Sequence, residues 1–275
     1  MDANTTPWIQ IVQLEEPSLK DNTADAERVL QSLKSRLNVS AIDIDLSLLK
    51  ILPTLLRKTQ FNLRCVLFKE KHQWVLIDIQ DARGTQLCAG LAVDLGTTRV
   101  VLRLLDLATG RPLAESAFDT PQEHIRPDIL SRIHFVEKAD GLRHLNELMI
   151  SGLNGAIVDL CASQNLQPAN IYAMAVAGNT TMTHLFMGLN PRWIIREPYI
   201  PVVNNPGVIT AEALGLQVNP RARLLIFPNI GSYFGGDLIA GVLFSEIYQS
   251  KQTCVLVDVG TNAEVVLGNE NWLIA

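Results

Sequence analysis

The feature that constrains this chain most is a short turn that occurs twice, each time between two apolar segments. The first copy is Asp94-Leu95-Gly96-Thr97-Thr98, and the second is Asp258-Val259-Gly260-Thr261-Asn262. Short apolar runs bounded by turn residues predict a β-strand on each side of both turns. A single Asp-x-Gly turn is more typical of an ordinary hairpin than of a ligand site. Its repetition predicts two related subdomains that each open with a strand–turn–strand unit.

The residue types in the two turns suit a phosphate group with its magnesium ion. Each glycine lets the backbone approach a ligand closely or adopt a positive φ. The hydroxyl and backbone N–H groups suit an anion, and the aspartate that opens each turn suits a hydrated Mg²⁺. From the residues alone, buried hairpin caps remain the alternative. The predicted phosphate-binding residues of the turns are Asp94, Gly96, Thr97, Thr98, Asp258, Gly260, Thr261 and Asn262, and the predicted Mg²⁺ ligands, through water, are Asp94 and Asp258.

Three further candidates stand where predicted strands end or predicted helices begin. Asn179 and Thr180 follow the apolar segment 171–178. Ligands of α/β proteins usually bind at such carboxyl ends of strands, so lining of a nucleotide cleft and ordinary helix capping both remain open. Asp237 follows two glycines at a predicted helix start. It either caps that helix or acts catalytically by orienting the attacking water.

Two other features carry weaker hypotheses. His184 lies on the helix predicted from Thr180 and is interpreted as a packed or surface histidine. The segment 193–203 is rich in proline and apolar residues, and as an exposed loop it is a hypothetical docking site for a protein partner.

Composition excludes several classes of function. The chain has 275 residues, of which 48% are hydrophobic and 19% charged, so it contains ample material for a folded core. A net charge of −5 without any Lys/Arg run gives no support for nucleic-acid binding. The absence of an apolar run of about 18 residues and of a secretory signal predicts no membrane association.

The cysteines predict a reducing environment. Cys65, Cys88, Cys161 and Cys254 are scattered and form no Cys-x-x-Cys pair. They are therefore expected to be buried thiols of a cytoplasmic protein, and the chain is expected to hold no iron–sulfur cluster.

The order of predicted elements divides the chain near Gly90. Before it, a strand, a helix with Thr23 as its N-cap, a helical segment broken at Pro53 and a hairpin over 62–79 predict a small α+β unit. After it, three antiparallel strands are followed by helix, strand, helix, strand and helix. This order is that of a ribonuclease-H-like subdomain, and the second Asp-x-Gly-Thr turn would open another copy.

Two such subdomains resemble the superfamily of actin, heat-shock chaperone ATPases and sugar kinases, in which both turns grip ATP. Further stretches narrow the resemblance to the reductive activators of corrinoid proteins. These stretches are Ala177-Gly178-Asn179-Thr180-Thr181-Met182-Thr183-His184-Leu185, Glu197-Pro198-Tyr199-Ile200-Pro201-Val202-Val203, Pro228-Asn229-Ile230-Gly231-Ser232-Tyr233-Phe234-Gly235-Gly236-Asp237 and Asn262-Ala263-Glu264.

The resemblance implies an ATP-driven, Mg²⁺-dependent reduction of a Co(II) corrinoid protein to Co(I). It implies a linker-like segment at 1–22, a small middle domain at 23–88 and an ATPase domain at 89–275, whose first subdomain covers about 89–250 and whose second begins at 251–275. The family's N-terminal ferredoxin domain and the rest of its second subdomain have no counterpart here. The chain is therefore expected to be truncated and to need a separate electron donor, with a corrinoid protein as partner and a homodimer as a further possibility.

Two alternatives remain open at this point. A small-molecule kinase of the same superfamily would share the phosphate turns. A truncated, non-catalytic binding module would bind a nucleotide or a partner without turnover.

Overall fold

The structure is a computed structural model that describes residues 7–71, 73–123, 125, 127–260 and 263–275. Its first unit is a four-stranded sheet with the strand order β1-β3-β4-β2, covered by short helices. Its elements are β1 (Ile9–Gln13), α1 (Asp25–Leu37), β2 (Ile42–Ile44), α2 (Leu46–Leu49), α3 (Leu52–Lys58), β3 (Asn62–Glu70) and β4 (Gln73–Asp81). The predicted hairpin is confirmed as the antiparallel pair β3–β4. Strand β1 lies within the segment 1–22 and pairs with β3; the three-part division of the chain stays a prediction.

Two local predictions in this unit are wrong. The N-cap of α1 is Ala24, not Thr23, whose hydroxyl group donates to Asp21 Oδ1 at 2.7 Å instead. The break in the second helical segment precedes Pro53: α2 ends at Leu49, and Pro53 lies in the first turn of α3. A proline fits there because the first-turn N–H groups of a helix have no partner within the helix.

The second unit is a six-stranded sheet with the order β7-β6-β5-β8-β10-β9. Strands β5, β6 and β7 form an antiparallel meander, and β5–β8 and β8–β10 are parallel pairs. This arrangement confirms the predicted ribonuclease-H-like topology. Its elements are β5 (Ala89–Leu95), β6 (Arg99–Asp106), β7 (Pro112–Asp119), α4 (Ile129–Val136), α5 (Gly141–Ala162), β8 (Ile171–Gly178), α6 (Thr180–Phe186), β9 (Gly207–Thr210), β10 (Arg223–Ile226) and α7 (Gly236–Ser245).

The core of this unit lies between the sheet and α5. Leu145, Met149, Leu153 and Ile157 recur every four residues along α5 and are buried in one cluster with inward-facing residues of β5 and β6. The edge strand β9 was not predicted; it pairs antiparallel with β10 and is only four residues long.

A third sheet of β11 (Cys254–Val259), β12 (Ala263–Asn269) and β13 (Trp272–Ile274) follows α7. Its two faces differ because alternate side chains of a strand point to opposite sides. Leu256 is paired in register with Val266, which is buried, while Val257 is paired with Val265 and both are exposed. Helix α7 contacts both β8 and β11, so it joins the second and third sheets.

A buried polar network joins the first unit to the second. Arg221 donates to Asp78 Oδ1 at 2.5 Å, and the Tyr172 hydroxyl group donates to Asp78 Oδ2 at 2.7 Å. Burial and then the charge of Asp78 raise the pKa of Tyr172. Arg223 donates to Glu70 at 2.6 Å nearby. Asp78 and Glu70 belong to the first unit, and their partners belong to the second. The network therefore fixes how the two units pack. Among the described helices, none has the length and apolar character needed to cross a bilayer.

We expect Arg221→Met to lower the free energy of unfolding by about 2–3 kcal/mol, because Asp78 would keep its charge in a largely buried position without its cation. Arg103→Met is the matched control. Its partner is Glu115 and both side chains are more than half exposed, so a change within about 0.5 kcal/mol is expected. Urea denaturation measures both variants, and equal losses would contradict the structural role assigned to Asp78.

Candidate functional site

The first Asp-x-Gly-Thr turn, which we call the phosphate turn after its predicted ligand, is held in shape by its own backbone. It joins β5 to β6, and a Cβ atom added to Gly96 would lie 2.2 Å from the carbonyl oxygen of Arg99. The φ of Gly96 is outside the left-handed region, so close approach within the turn is the reason for glycine here. Asp94 and Thr98 are exposed, whereas Thr97 is only 6% exposed.

Asn179 performs one of the two roles that the sequence left open, the capping of a helix, while the lining of a nucleotide cleft stays a prediction. Its Oδ1 accepts from the backbone N–H of Met182 at 2.9 Å, which caps α6. Its Nδ2 donates to the Thr97 hydroxyl group at 3.1 Å, which ties the helix to the phosphate turn. Thr180 is buried and its hydroxyl group donates to the Gly231 carbonyl at 3.3 Å. A phosphate contact by Thr180 stays a prediction.

Asp237 is positioned by two glycines that pack against strand ends. A Cβ at Gly235 would lie 2.4 Å from the Cα of Asn179, and one at Gly236 would lie 2.7 Å from the Cβ of Phe227. Helix α7 can therefore begin beside the carboxyl ends of β8 and β10. The N-cap is Gly235, so the capping role considered for Asp237 is wrong. Asp237 is the second residue of the helix and half-buried, with Oδ1 accepting from the Leu238 N–H at 2.8 Å.

Asp94 of the first turn, Asp237 of α7 and Asp258 of β11 form an acidic cluster, which we name the acidic cleft. The pKa of Asp94 is raised by the surrounding protein and then by the charges of Asp237 and Asp258. The pKa of Asp237 is raised by burial and by Asp258. These effects require the carboxylates of the first turn, of α7 and of β11 to be near one another. Asp258 and Gly260 are exposed at the end of β11, while Thr261 and Asn262 lie outside the described residues.

Glu264 joins this cluster and was not predicted as a site residue. It pairs in register with Asp258 across β11 and β12, and burial, Asp237 and Asp258 raise its pKa. The signal was present in the sequence: Glu264 is an acidic residue at the start of an otherwise apolar strand, two residues after the second turn.

The carboxylates of the cluster are of the type that could hold a cation through water. Within the ranges that the structure describes, no three His, Cys, Asp or Glu side chains are close enough to ligate a metal ion together. The raised pKa values nevertheless indicate negative charge that the protein itself does not neutralise. Mg²⁺ usually keeps several waters and binds through one or two carboxylates plus substrate phosphates.

A cavity of about 800 Å³ lies elsewhere, between β1 and the segment 85–88. Trp74, Arg36 and Arg64 line it, and the predicted phosphate residues do not. Both guanidinium groups already donate to backbone carbonyls, of Ile11 and of Gln86 respectively. We therefore place the candidate site at the acidic cleft, where the polar groups converge.

Both the first and the second unit of the chain match models of known protein families. The family model described as the RACo middle region matches residues 89–250, which is more than half of the chain. The chain belongs to the RACo family. A second family model, described as the RACo linker region, matches residues 2–86. The RACo linker region therefore extends over both the predicted linker-like segment, 1–22, and nearly all of the predicted small domain, 23–88.

Two relatives of this RACo-family chain are informative. The corrinoid activation enzyme RamQ from Eubacterium limosum is 29% identical over 181 residues, which is 66% of this chain and 30% of the relative. A solved structure, described as a reductive activator for corrinoid, iron-sulfur protein, is 34% identical with a TM-score of 0.91; the match covers 100% of this chain and 44% of that one. The chain therefore spans less than half the length of either relative.

Substitutions at Asn179 separate its two roles. Asn179→Asp keeps the acceptor for Met182, so we expect a free energy of unfolding within about 0.5 kcal/mol of the wild type, whereas Asn179→Ala should lose about 1 kcal/mol with the cap. Both lose the donor to Thr97, and the aspartate also adds a charge that repels phosphate. Pyrophosphate titration by NMR should therefore rank affinity as wild type, then alanine, then aspartate. Equal affinities would remove Asn179 from the phosphate site.

Asp237→Asn should raise the free energy of unfolding at pH 7, because it relieves like-charge repulsion and retains the acceptor for Leu238. A raised native pKa means that the native state binds protons more readily than the unfolded state. The contribution of this cluster to stability is therefore lost as pH rises through the native pKa values. The wild type should gain more stability than the variant on acidification from pH 7. Asp159→Asn, at an exposed position on α5, is the control and should change neither quantity.

Proposed function

We propose that this chain provides part of the ATP-binding domain and the partner-docking part of an ATP-dependent reductive activator, which returns a corrinoid protein from Co(II) to Co(I). The observation that carries the proposal is that the charges of Asp237 and Asp258 raise the pKa of Asp94, and that the charge of Asp258 raises the pKa of Asp237. It supports a single cleft to which both Asp-x-Gly-Thr turns contribute. The sequence and structural similarity to the corrinoid activators supports the choice of substrate.

In this proposal the cleft binds ATP chiefly by electrostatics. The backbone N–H groups and hydroxyls of the two turns would neutralise charge on the β- and γ-phosphates. Asp94 and Asp258 would hold Mg²⁺ through water, and the ion would supply further positive charge at the phosphates. Asp237 would orient the attacking water from its position at the start of α7. Closure of the two subdomains on ATP would favour the conformation that transfers an electron to the corrinoid.

The partners follow from the same proposal. A corrinoid protein would be the electron acceptor, and a homodimer remains compatible with the proposal. Trp193, Ile200 and Val202 are each more than half exposed and lie in the segment first interpreted as a docking loop, which supports contact with a protein partner.

We also propose a cytoplasmic location. The four cysteines are free, and burial raises the pKa of Cys65 to about 12 and that of Cys88 to about 11. Protonated, buried thiols are typical of structural cysteines in a reducing compartment.

The test measures phosphate release from Mg–ATP with and without a Co(II) corrinoid protein. We expect slow hydrolysis that the corrinoid protein stimulates, and a fall of at least about tenfold in Asp94→Asn and Asp258→Asn, because each removes a charge that would hold Mg²⁺. Asp159→Asn should behave as the wild type. Hydrolysis that is unaffected by both site variants would contradict the assigned cleft.

Two other outcomes would identify a different function. Binding of ATP or of a corrinoid protein without turnover would indicate a binding module. Transfer of phosphate to a small alcohol would indicate the kinase alternative.

A further inference from the structure

His184 makes two hydrogen bonds in the interior of the protein that the proposed reaction does not use. The side chain is 0% exposed. Its Nδ1 lies 2.7 Å from the Thr180 carbonyl oxygen, and its Nε2 lies 3.0 Å from the backbone nitrogen of Val202. A carbonyl only accepts and a backbone N–H only donates, so Nδ1 carries the proton and Nε2 accepts. Burial lowers the pKa of this histidine, in agreement with a neutral ring. Of the two positions predicted for His184, packed or at the surface, the structure shows the packed one.

Thr180 and His184 hold two surface loops in place. Through His184, Thr180 holds the loop that contains Val202, and through its own hydroxyl group it holds the loop at Gly231. The loops are also joined directly, because Ser232 donates to the Tyr199 carbonyl at 2.6 Å. Together they carry a patch of exposed side chains that we name the apolar rim: Tyr199, Ile200, Val202, Ile230 and Tyr233.

The N-terminal end of the same short helix is attached to the phosphate turn. Asn179 caps α6 and donates to Thr97, and the next residue in the chain is Thr180. All seven residues of α6 are buried, so the helix is confined by its surroundings. A shift of Asn179 on occupation of the phosphate turn would therefore move Thr180 and, through His184, the loop that bears the apolar rim.

We propose that His184 is a positioning residue that couples the phosphate turn to the apolar rim through α6. The meaning of this coupling for corrinoid activation rests on the proposed function, because it would make the surface around the docking loop respond to ATP. The coupling itself is a property of this chain and can be tested without ATP or a corrinoid protein. It can therefore fail while hydrolysis is observed, and it can hold if hydrolysis is absent.

Two substitutions separate the two bonds of His184. In His184→Asn the side-chain amide takes the place of Nδ1 and can donate to Thr180, but the acceptor for Val202 is lost. In His184→Gln the carbonyl oxygen takes the place of Nε2 and can accept from Val202, but the donor to Thr180 is lost. We expect hydrogen exchange of the Val202 amide to accelerate about five- to tenfold in the asparagine variant, the effect of losing one hydrogen bond. His144→Asn, at an exposed position, should leave it unchanged.

Reciprocity provides the decisive measurement, since coupling between two sites acts in both directions. The asparagine and glutamine variants should both shift the NMR signals of the Asn179 side-chain amide and of Thr97. Thr97→Val, which removes only the hydroxyl group that Asn179 contacts, should accelerate exchange at Val202. If Thr97→Val leaves the Val202 amide unchanged, or if the His184 variants disturb Val202 and leave Thr97 and Asn179 unchanged, His184 only anchors its loop and the proposal is overturned.

Discussion

The acidic cleft depends on a close approach of backbones that only glycine permits. A Cβ at Gly178 would lie 2.7 Å from the Cβ of Leu95, and those at Gly235 and Gly236 would meet Asn179 and Phe227 at 2.4 and 2.7 Å. Larger residues would separate the end of β8 from β5 and push α7 away from the sheet. The cap of α6, the start of α7 and, through α7, the position of β11 all depend on these close approaches. The geometry of the site therefore rests on the three glycines.

That geometry concentrates charge at a cost. Asp94, Asp237 and Glu264 all have raised pKa values, because the surrounding protein first displaces water from the carboxylates and neighbouring carboxylates then add negative charge. A cluster of this kind disfavours the folded state at neutral pH unless a cation accompanies it, which is typical of sites built for binding rather than for stability. The opposite face of β11 and β12 carries the exposed residues Val255, Val257, Val265 and Leu267. The alternation of the strands thus keeps Asp258 and Glu264 on the other face, together with Leu256 and the buried Val266.

Periodicity and turn chemistry predicted the elements that local sequence determines. The meander β5–β7, the strands β8 and β10 and the repeated turn were all readable, and together they implied the ribonuclease-H-like order that the structure confirms. The features that the sequence did not predict depend mainly on contacts between residues far apart in the chain. Strand β9 forms only through pairing with β10, and the bond from Val202 to His184 joins residues 18 apart in the chain. Glu264 is different, because it pairs with Asp258 across the second turn and its acidic side chain at the start of an apolar strand was a local signal.

Helix α6 shows why such contacts matter for function. With seven residues it is far below the length of about 12–15 at which an isolated helix becomes even marginally stable in water. Its position is therefore set by what it touches: the phosphate turn through Asn179, and the apolar rim through Thr180 and His184. A longer helix with its own stability could absorb a disturbance at one end. A short one, buried along its whole length, has to transmit it or lose contacts at the other end, because a close-packed interior has little room for intermediate positions.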